Sequence, residues 1–319
     1  MRIGIAGCGR IAERGYVPAA LAAEGVTIAG FADPDGERLD RCRRLWAEEG
    51  DEAPGFADVA SLLASVAVDL LVVSAPADHH EALAAEAAAA GVRSFVEKPP
   101  APDLEGARRL ADLDPQPLIA FNRRFLQGAE LRDSIPAEGW LELDLELRFR
   151  RDSWGAHEAH DEALLDAGIH LIDLACFLTD SAPIAVRGAE VKHERADLEV
   201  ELARGRARIS CATDRSHREA IRVTDRSGRT LARSHWGGIG GRLAGLIGRP
   251  DPLVVSLQRQ LEAVGVSLMD PPHFVQQGYP HRLATAADGV AALAVVEAAR
   301  RSAELNGAEV TVEQAEATA

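Results

Sequence analysis

The first twelve residues, MRIGIAGCGRIA, place a glycine-rich turn between an apolar run and the start of a helical pattern. Ile3 to Ala6 predicts a short buried strand, and Gly7, Gly9 and Ala12 follow it with the spacing G-x-G-x-x-A. The first glycine permits a tight turn, the second lets the backbone approach a pyrophosphate, and the small Ala12 lets the helix pack closely against the strand. The stretch therefore predicts the phosphate-binding turn of a dinucleotide-binding βαβ unit.

An acidic residue ends the second predicted strand. Val26 to Phe31 is apolar, and Asp33 follows it about 20 residues after the glycine turn, where a ribose-binding carboxylate belongs. We expect Asp33 to accept hydrogen bonds from the adenosine ribose hydroxyls and to repel a 2′-phosphate, which favours NAD over NADP. In a second interpretation, which stays open, Asp33 is a turn or N-cap residue beside Pro34.

Strand and helix patterns alternate through the first part of the chain. Val68 to Ser74 is apolar almost throughout, as in a strand that helices cover on both faces. We therefore expect an α/β Rossmann domain with a doubly wound parallel sheet over residues 1–121. This domain would hold the dinucleotide.

The pattern changes after residue 122. Leu141 to Phe149 reads LELDLELRF and alternates with period two, which predicts a strand with one face in water. Residues 122–319 thus predict an α+β domain with a large, mostly antiparallel sheet. The closing helix, over 283–305, could pack back on the first domain. We expect the uncovered sheet face to be apolar and to require a partner, giving a homodimer or homotetramer.

The composition restricts the kinds of partner. Hydrophobic residues make up 47% of the chain and charged residues 27%, as in a globular domain, and the net charge of −15 disfavours nucleic acid and anionic membranes. Apolar stretches are broken well short of the ~18 residues of a membrane span, and we expect no signal peptide because the first strand runs straight into the glycine turn. Widely spaced cysteines without a C-x-x-C pair indicate reduced thiols. We expect a cytoplasmic protein with a small-molecule substrate.

Three further motifs follow the glycine turn. Ser74-Ala75-Pro76, with His79 after it, ends one strand, and Glu97-Lys98-Pro99 ends the next. Asp166-x-Gly168-x-His170-x-x-Asp173 opens a helix in the second domain. In this order and spacing, the sequence resembles the glucose–fructose oxidoreductase / inositol dehydrogenase / rhizopine-catabolism family of nicotinamide-dependent oxidoreductases. The resemblance covers nearly the whole chain.

The resemblance implies an NAD(P)-dependent dehydrogenase or reductase that acts on CH–OH groups of a sugar, cyclitol or related polyol. It also implies that residues 122–319 form an open-faced sheet domain for substrate binding and oligomerisation. It further implies that Lys98, Asp166 and His170 face the nicotinamide and the substrate. For NAD, with NADP the less favoured cofactor, the expected contacts are Gly7, Gly9, Arg10, Ile11, Asp33, Ser74, Ala75, Pro76, His79, Glu97 and Lys98. For the substrate, the expected contacts are Lys98, Asn122, Arg124, Asp166 and His170.

Oxidation of a secondary alcohol needs a group that takes the hydroxyl proton as hydride leaves carbon. An imidazole suits this step because its ordinary pKa is about 6.5, so we expect His170 to be the base. Asp166 lies four residues earlier and could orient the imidazole or bind a neighbouring hydroxyl. Lys98 would place a cation beside the reacting oxygen. The alternatives are a core histidine for His170 and a surface lysine for Lys98.

Other roles stay open at this stage. Asn122 and Arg124 could instead form a hinge with ion pairs, and Asp173 is expected to be structural. His157-Glu158-x-His160-Asp161 resembles part of a zinc site but has no evident third ligand, so no metal is expected. Two other functions fit the same fold: an NAD-dependent glycosidase or lyase that works by transient oxidation, and a non-enzymatic NAD-binding regulator.

Overall fold

The chain forms two compact units in a computed structural model, which describes residues 1–151, 162–237, 251–269 and 283–312. The first unit combines Met1–Phe125 with Pro250–Ala287, and the second combines Leu126–Arg249 with Asp288–Ala319. Within the described ranges, no helix is both long and apolar enough to cross a membrane.

The elements are numbered in chain order. The strands are β1 (Arg2–Ala6), β2 (Thr27–Ala32), β3 (Gly55–Phe56), β4 (Leu70–Val73), β5 (Arg93–Val96), β6 (Leu118–Ile119), β7 (Leu141–Arg150), β8 (Pro183–Lys192), β9 (Arg195–Leu202), β10 (Gly205–Ala212), β11 (Asp214–Asp225), β12 (Thr230–Gly237), β13 (Ala284–Thr285) and β14 (Val310–Thr311). The helices are α1 (Val17–Ala22), α2 (Gly36–Ala47), α3 (Val59–Ser65), α4 (His80–Ala89), α5 (Leu104–Ala111), α6 (Ala129–Asp133), α7 (Ile169–Thr179), α8 (Pro252–Met269) and α9 (Ala286–Glu304). Short π-helical segments, Ala12–Tyr16, Arg124–Gly128 and Leu164–Gly168, lead into α1, α6 and α7.

The first unit contains the expected doubly wound sheet, in the order β13-β6-β5-β4-β1-β2-β3. The strands from β1 to β6 pair in parallel, and β13 adds an antiparallel edge. All four residues of β4 are completely buried, as expected for a strand with helices on both faces. Because parallel strands end at one edge, the loops after β1, β2, β4 and β5 lie at the same edge of this sheet.

Helix α8 belongs to the first unit, although the sequence-based boundary at residues 121 and 122 assigns it to the second domain. Its Leu257, Leu261 and Val264 are completely buried in the core that contains Ile3, Ile5 and Tyr16. The reason is packing between segments more than 200 residues apart in sequence, which local periodicity does not reveal. From Asp288 onward, α9 belongs to the second unit.

The second unit contains the expected mostly antiparallel sheet, in the order β12-β11-β7-β10-β9-β8-β14, with one parallel pair between β7 and β10. Leu141, Leu143, Leu145 and Leu147 point to the buried face, against which α7 packs. A turn at Asp225 to Gly228 joins β11 to β12, and the Gly228 N–H donates to the Asp225 carbonyl at 2.9 Å.

The other face of this sheet corrects our expectation of an apolar surface. Neighbouring strands present Arg222, Asp144, Arg208, Glu199 and Arg187 in one row across the sheet. Arg222 Nη2 lies 2.6 Å from Asp144, and Arg208 Nη1 lies 3.1 Å from the same carboxylate. Because the outward positions of these strands are polar, the face is covered by ion pairs. The homodimer or homotetramer remains a prediction, but an apolar sheet face no longer supports it.

Candidate active site

The glycine turn after β1 has the backbone geometry that the sequence predicts. Gly7 has a φ of +92°, and a Cβ at this position would lie 2.5 Å from the Ala75 nitrogen. Only glycine fits both conditions. A Cβ on Gly9 would meet no described atom within 4 Å, so the space above it is open. Glu13 N–H donates to the Gly9 carbonyl at 3.0 Å, so the helix begins directly after this glycine.

Asp33 lies at the end of β2 and is 5% exposed. Its Oδ2 accepts the Cys8 N–H at 2.7 Å, and its Oδ1 accepts the Asp35 N–H at 2.8 Å. Arg38 Nη2 lies 3.1 Å from Oδ1. The N-cap of α2 is Asp35, whose carboxylate accepts from Glu37 and Arg38, so Asp33 does not cap this helix. These contacts fix the Asp33 carboxylate beside the glycine turn.

The loop after β4 packs against the same turn. Ser74 Oγ donates to the Gly7 carbonyl at 2.8 Å, and the Ser74 N–H donates to Ala6 at 2.8 Å. Pro76 is exposed, and its carbonyl accepts the His79 N–H at 2.9 Å. The His79 side chain is exposed, whereas the next residue, His80, is buried.

Glu97 and Lys98 follow β5 at this edge. Glu97 is buried and accepts Tyr16 Oη at 2.8 Å and the Lys98 N–H at 3.1 Å. Burial raises the pKa of Glu97, although the Lys98 charge and the Tyr16 hydrogen bond act in the opposite direction. Burial likewise raises the pKa of Tyr16. Lys98 is partly exposed, and the peptide bond between Lys98 and Pro99 is cis.

These residues fit a dinucleotide. The open space above Gly9 is a cradle that a side chain would fill, and Arg10 and Ile11 open the helix whose N-terminal dipole favours an anion there. The Asp33 carboxylate could hold ribose hydroxyls. Ser74 to Pro76 and Lys98 lie at the ends of the two neighbouring strands, at the edge where α/β sheets bind ligands. This is the arrangement that NAD binding requires from the first unit.

Two predicted substrate residues have structural contacts within the first unit. Arg124 is 4% exposed, and its Nη1 donates to the Leu283 carbonyl at 3.4 Å. The Asn122 carbonyl accepts the Phe125 N–H at 3.0 Å, while its side-chain Oδ1 is buried. For Arg124 and Asn122, both the hinge role and the substrate contact therefore remain predictions.

The second unit holds Asp166, His170 and Asp173, which are 8%, 6% and 2% exposed. The helix has begun by Leu164, as a π-helical segment that continues into α7, so the four-residue spacing places Asp166 and His170 on one side of a continuous helix. Arg151, which directly follows β7, forms an ion pair with Asp166 through Nη1. The Arg151 N–H donates to the Thr213 carbonyl at 2.9 Å, which fixes this residue to the sheet.

Sequence reasoning missed several residues around these sites: Tyr16, Arg38, His80 and Arg151. Tyr16 and His80 are buried only because of tertiary packing. Arg38 lies in the first turn of α2, only five residues after Asp33, and this closeness in sequence was the available indication of a contact. Arg151 follows an alternating strand, and nothing in the sequence connects it to Asp166.

Some predictions lie outside the described residues. This holds for the His157-Glu158-x-His160-Asp161 stretch. Elsewhere, in the part of the chain that the structure describes, no group of three or more His, Cys, Asp or Glu side chains could hold a metal ion.

Comparison with known protein families supports the Rossmann fold of the first unit. Residues 1–116 match the model of the oxidoreductase family GFO_IDH_MocA, which has an NAD-binding Rossmann fold. The match covers residues 1–116 of the 319-residue chain, so it shows similarity to this family over the Rossmann part of the first unit. Over these residues the match agrees with the predicted NAD cofactor and with the predicted oxidoreductase class. The resemblance drawn from the glycine turn and the Glu-Lys-Pro and Asp-x-Gly-x-His motifs is confirmed.

Individual relatives are distant. Rhizopine catabolism protein MocA of Rhizobium meliloti is 28% identical over 97% of both chains. Inositol 2-dehydrogenase of Corynebacterium glutamicum is 27% identical over 61% of this chain and 58% of its own length, so the chain spans little more than half of that enzyme. The Salmonella typhimurium protein YceM is 29% identical over 70% of this chain and 74% of its own.

Solved structures show the same fold. The myo-inositol dehydrogenase of Corynebacterium glutamicum superposes with a TM-score of 0.76, 18% identity and 99% coverage of both chains. The myo-inositol dehydrogenase of Lactobacillus casei in complex with NAD(H) and myo-inositol gives a TM-score of 0.75 at 18% identity, covering 99% of this chain and 98% of that one. The expected pair of a Rossmann domain and an antiparallel-sheet domain is thereby confirmed.

Proposed function

We propose that the protein transfers hydride between NAD(H) and a secondary alcohol or ketone of a cyclitol, sugar or related polyol in the cytoplasm. The observation that carries the proposal is the edge of the first sheet, where the open glycine cradle, Asp33 and Lys98 lie on neighbouring loops. The inositol 2-dehydrogenase among its relatives supports a polyhydroxylated ring as the substrate class. When bound, NAD supplies the hydride acceptor.

Three side chains would handle the proton and the developing charge. Lys98, as an ammonium, would donate a hydrogen bond to the reacting oxygen and stabilise its alkoxide character. His170 would take the hydroxyl proton at an imidazole nitrogen. Asp166, which forms an ion pair with Arg151, would orient the imidazole or accept a hydrogen bond from a neighbouring hydroxyl.

The test is to purify the protein and measure reduced cofactor by its near-ultraviolet absorbance. Candidate inososes and ketoses are then added to the NADH-loaded protein. A dehydrogenase bleaches the absorbance with one substrate class and forms one alcohol for each NADH consumed. A glycosidase or lyase would release product with no net change in NADH, and a regulator would bind NADH and convert none of the compounds. Either outcome would overturn the proposal.

For assembly, we propose a homodimer or homotetramer formed through the outward face of the second sheet. Rows of alternating charge, such as Arg222–Asp144–Arg208–Glu199, can pair with a second copy in which the signs are opposed. Light scattering at micromolar concentration should give a mass at least twice that of the 34.0 kDa chain at low salt, and the assembly should weaken at high salt. A monomer at both salt concentrations would contradict the assembly.

A further inference from the structure

His80 is a buried histidine that the proposed chemistry does not use. It is the first residue of α4 and is 1% exposed. Its Nε2 lies 2.8 Å from the Ala75 carbonyl oxygen. Its Nδ1 lies 3.0 Å from the Pro99 carbonyl oxygen and 3.3 Å from that of Pro100. The imidazole therefore bridges the loop after β4 and the loop after β5.

Both loops belong to the candidate site. Strands β4 and β5 are neighbours, with Val73 opposite Val96, so their loops leave the sheet side by side. The Ala75 nitrogen is the atom that a Cβ on Gly7 would strike. Pro99 directly follows Lys98. His80 thus connects the segment that packs on the glycine turn to the segment that carries the lysine.

The chemistry of the partners decides the protonation of the ring. A carbonyl oxygen accepts hydrogen bonds and cannot donate them, and a neutral imidazole has only one N–H. Both ring nitrogens of His80 face carbonyl oxygens at hydrogen-bond distance, so both bonds form only if both nitrogens carry a proton. Charge-assisted bonds to peptide oxygens also compensate for the burial of the cation.

We propose that His80 is a positioning residue that holds a proton on both ring nitrogens and thereby fixes the Lys98 loop against the Ala75 loop. Its effect on catalysis rests on the proposed function, because that function gives Lys98 its role. Its protonation does not depend on the proposed function. The two statements are therefore measured separately.

The protonation is measured on the unmodified protein. Histidine labelled with ¹⁵N gives separate signals for the two ring nitrogens, and triple-resonance connection to the backbone identifies His80 among the 10 histidines. At pH 7.5 we expect both His80 nitrogens to show directly bonded protons and the ¹⁵N shifts of an imidazolium. One nitrogen with the shift of an unprotonated ring nitrogen would overturn the proposal.

The positioning is measured at Lys98, because the chain has only two lysines. Reductive ¹³C-methylation gives signals from Lys98, Lys192 and the N-terminal amine. In His80→Gln, which keeps a neutral donor, we expect the Lys98 signal to shift and the Lys192 signal to stay. The control is Glu81→Gln, at the residue next to His80 on α4. This substitution removes the ion pair between Glu81 and Arg109 and should leave both lysine signals unchanged.

Turnover gives the third measurement. Misplacement of a catalytic group by about 1 Å is associated with a loss of about 10²-fold, so we expect kcat to fall by roughly that factor in His80→Gln and to be unchanged in Glu81→Gln. An unshifted Lys98 signal together with normal kcat in His80→Gln would overturn the positioning role. If the unmodified protein converts no polyol, the proposed function fails, and the ¹⁵N and ¹³C signals still decide the role of His80.

Discussion

The two sheets of this protein carry their charged residues in opposite ways. In the first sheet the strands are apolar and the acidic groups stand just beyond the strand ends, where Asp33 and Glu97 are buried and bound by N–H or O–H donors. In the second sheet, Asp144 and Glu199 stand within the strands, remain partly exposed and share several arginines. Each acidic group beside the first sheet therefore has its own set of hydrogen-bond donors, whereas the acidic groups of the second sheet share their arginine partners.

The energetics of the two settings explain the difference. Removing one partner of a buried ionic pair destabilises a protein by about 3–5 kcal/mol, because the remaining charge is left without water. An exposed ion pair contributes about 0–1 kcal/mol, since water and salt screen it. We therefore expect substitutions at the buried residues of the site to lower activity or stability strongly. Substitutions in the charged rows should change either quantity little.

The largest effect is expected where a buried group takes part in the reaction. His170→Ala should lower kcat by about 10²–10⁴-fold while NADH affinity is nearly unchanged, because only the proton transfer is lost. Lys98→Met should also lower kcat. The control is Lys192→Met, which removes the other lysine, an exposed one, and should keep normal kcat. Stopped-flow measurement of NADH formation compares the three variants. Normal turnover in His170→Ala would show that the dehydrogenase mechanism is misassigned.

A smaller but still large effect is expected at the glycine turn. Gly7→Ala places a Cβ 2.5 Å from a backbone nitrogen at a φ of +92°, so we expect loss of NADH binding and destabilisation by more than about 1 kcal/mol. Gly25→Ala is the matched control, because Gly25 also has a positive φ, +70°, but open surroundings. Fluorescence titration with NADH measures binding. Equal affinity in both variants would mean that the turn does not hold the cofactor.

Asp33→Ala should reduce NAD affinity by about 10–100-fold, the loss expected for hydrogen bonds to a charged group worth about 1.5–3 kcal/mol. It should also free Arg38 to meet a 2′-phosphate, so the preference for NAD over NADP narrows or reverses. Asp35→Ala, which removes the cap of α2, should keep the preference. Better binding of NADP than NAD by the unmodified protein would contradict the role of Asp33.

Glu97 predicts an unusual pH dependence of stability. Its pKa is raised in the folded protein, so the folded state binds the proton more tightly than the unfolded state does. The contribution of Glu97 to the free energy of unfolding is fully present below the ordinary carboxyl pKa, and it is lost as the pH rises through the pKa of Glu97 in the folded protein. In Glu97→Gln this loss should be absent. Urea unfolding across this range compares the two proteins, and identical pH profiles would count against a buried, proton-holding Glu97.

The smallest effect is expected in the charged rows. Asp144→Asn should change the free energy of unfolding of the single chain by no more than about 1 kcal/mol, and the difference should shrink in high salt, because Arg208 and Arg222 are 59% exposed in the single chain. Urea unfolding at low and high salt measures it. A loss of several kcal/mol would remove the contrast between the two sheets.

Much of the fold was predictable because it is encoded locally. The glycine turn, the apolar run of β4 and the alternating β7 each carry their own periodicity. Helix α8 was not assigned to the first unit, because its burial depends on contacts with residues near the N-terminus. The polar outer face of the second sheet could have been predicted, since Glu142, Asp144 and Glu146 alternate with leucines in the sequence.

The candidate site was predictable only in part. Motif spacing placed Gly7, Asp33 and Lys98 directly after their strands, and the structure has them there; their roles toward cofactor and substrate remain predictions. It did not separate His79 from His80, since the phase of α4 decides which of two adjacent histidines is buried. The π-helical segment before α7 also escaped prediction, because a change in helical register leaves no periodicity of its own.

The charged rows have a consequence at acid pH. Hydrogen bonds from Trp140 and Arg206 outweigh the effect of burial and lower the pKa of Glu142, so this carboxylate resists protonation longer than usual. Arginine, unlike its carboxylate partners, keeps its charge at every pH at which the protein is folded. As the carboxylates are neutralised, the guanidinium groups stay, and a face that is nearly balanced becomes a dense positive surface. In acid, the outward face of the second sheet should bind anions.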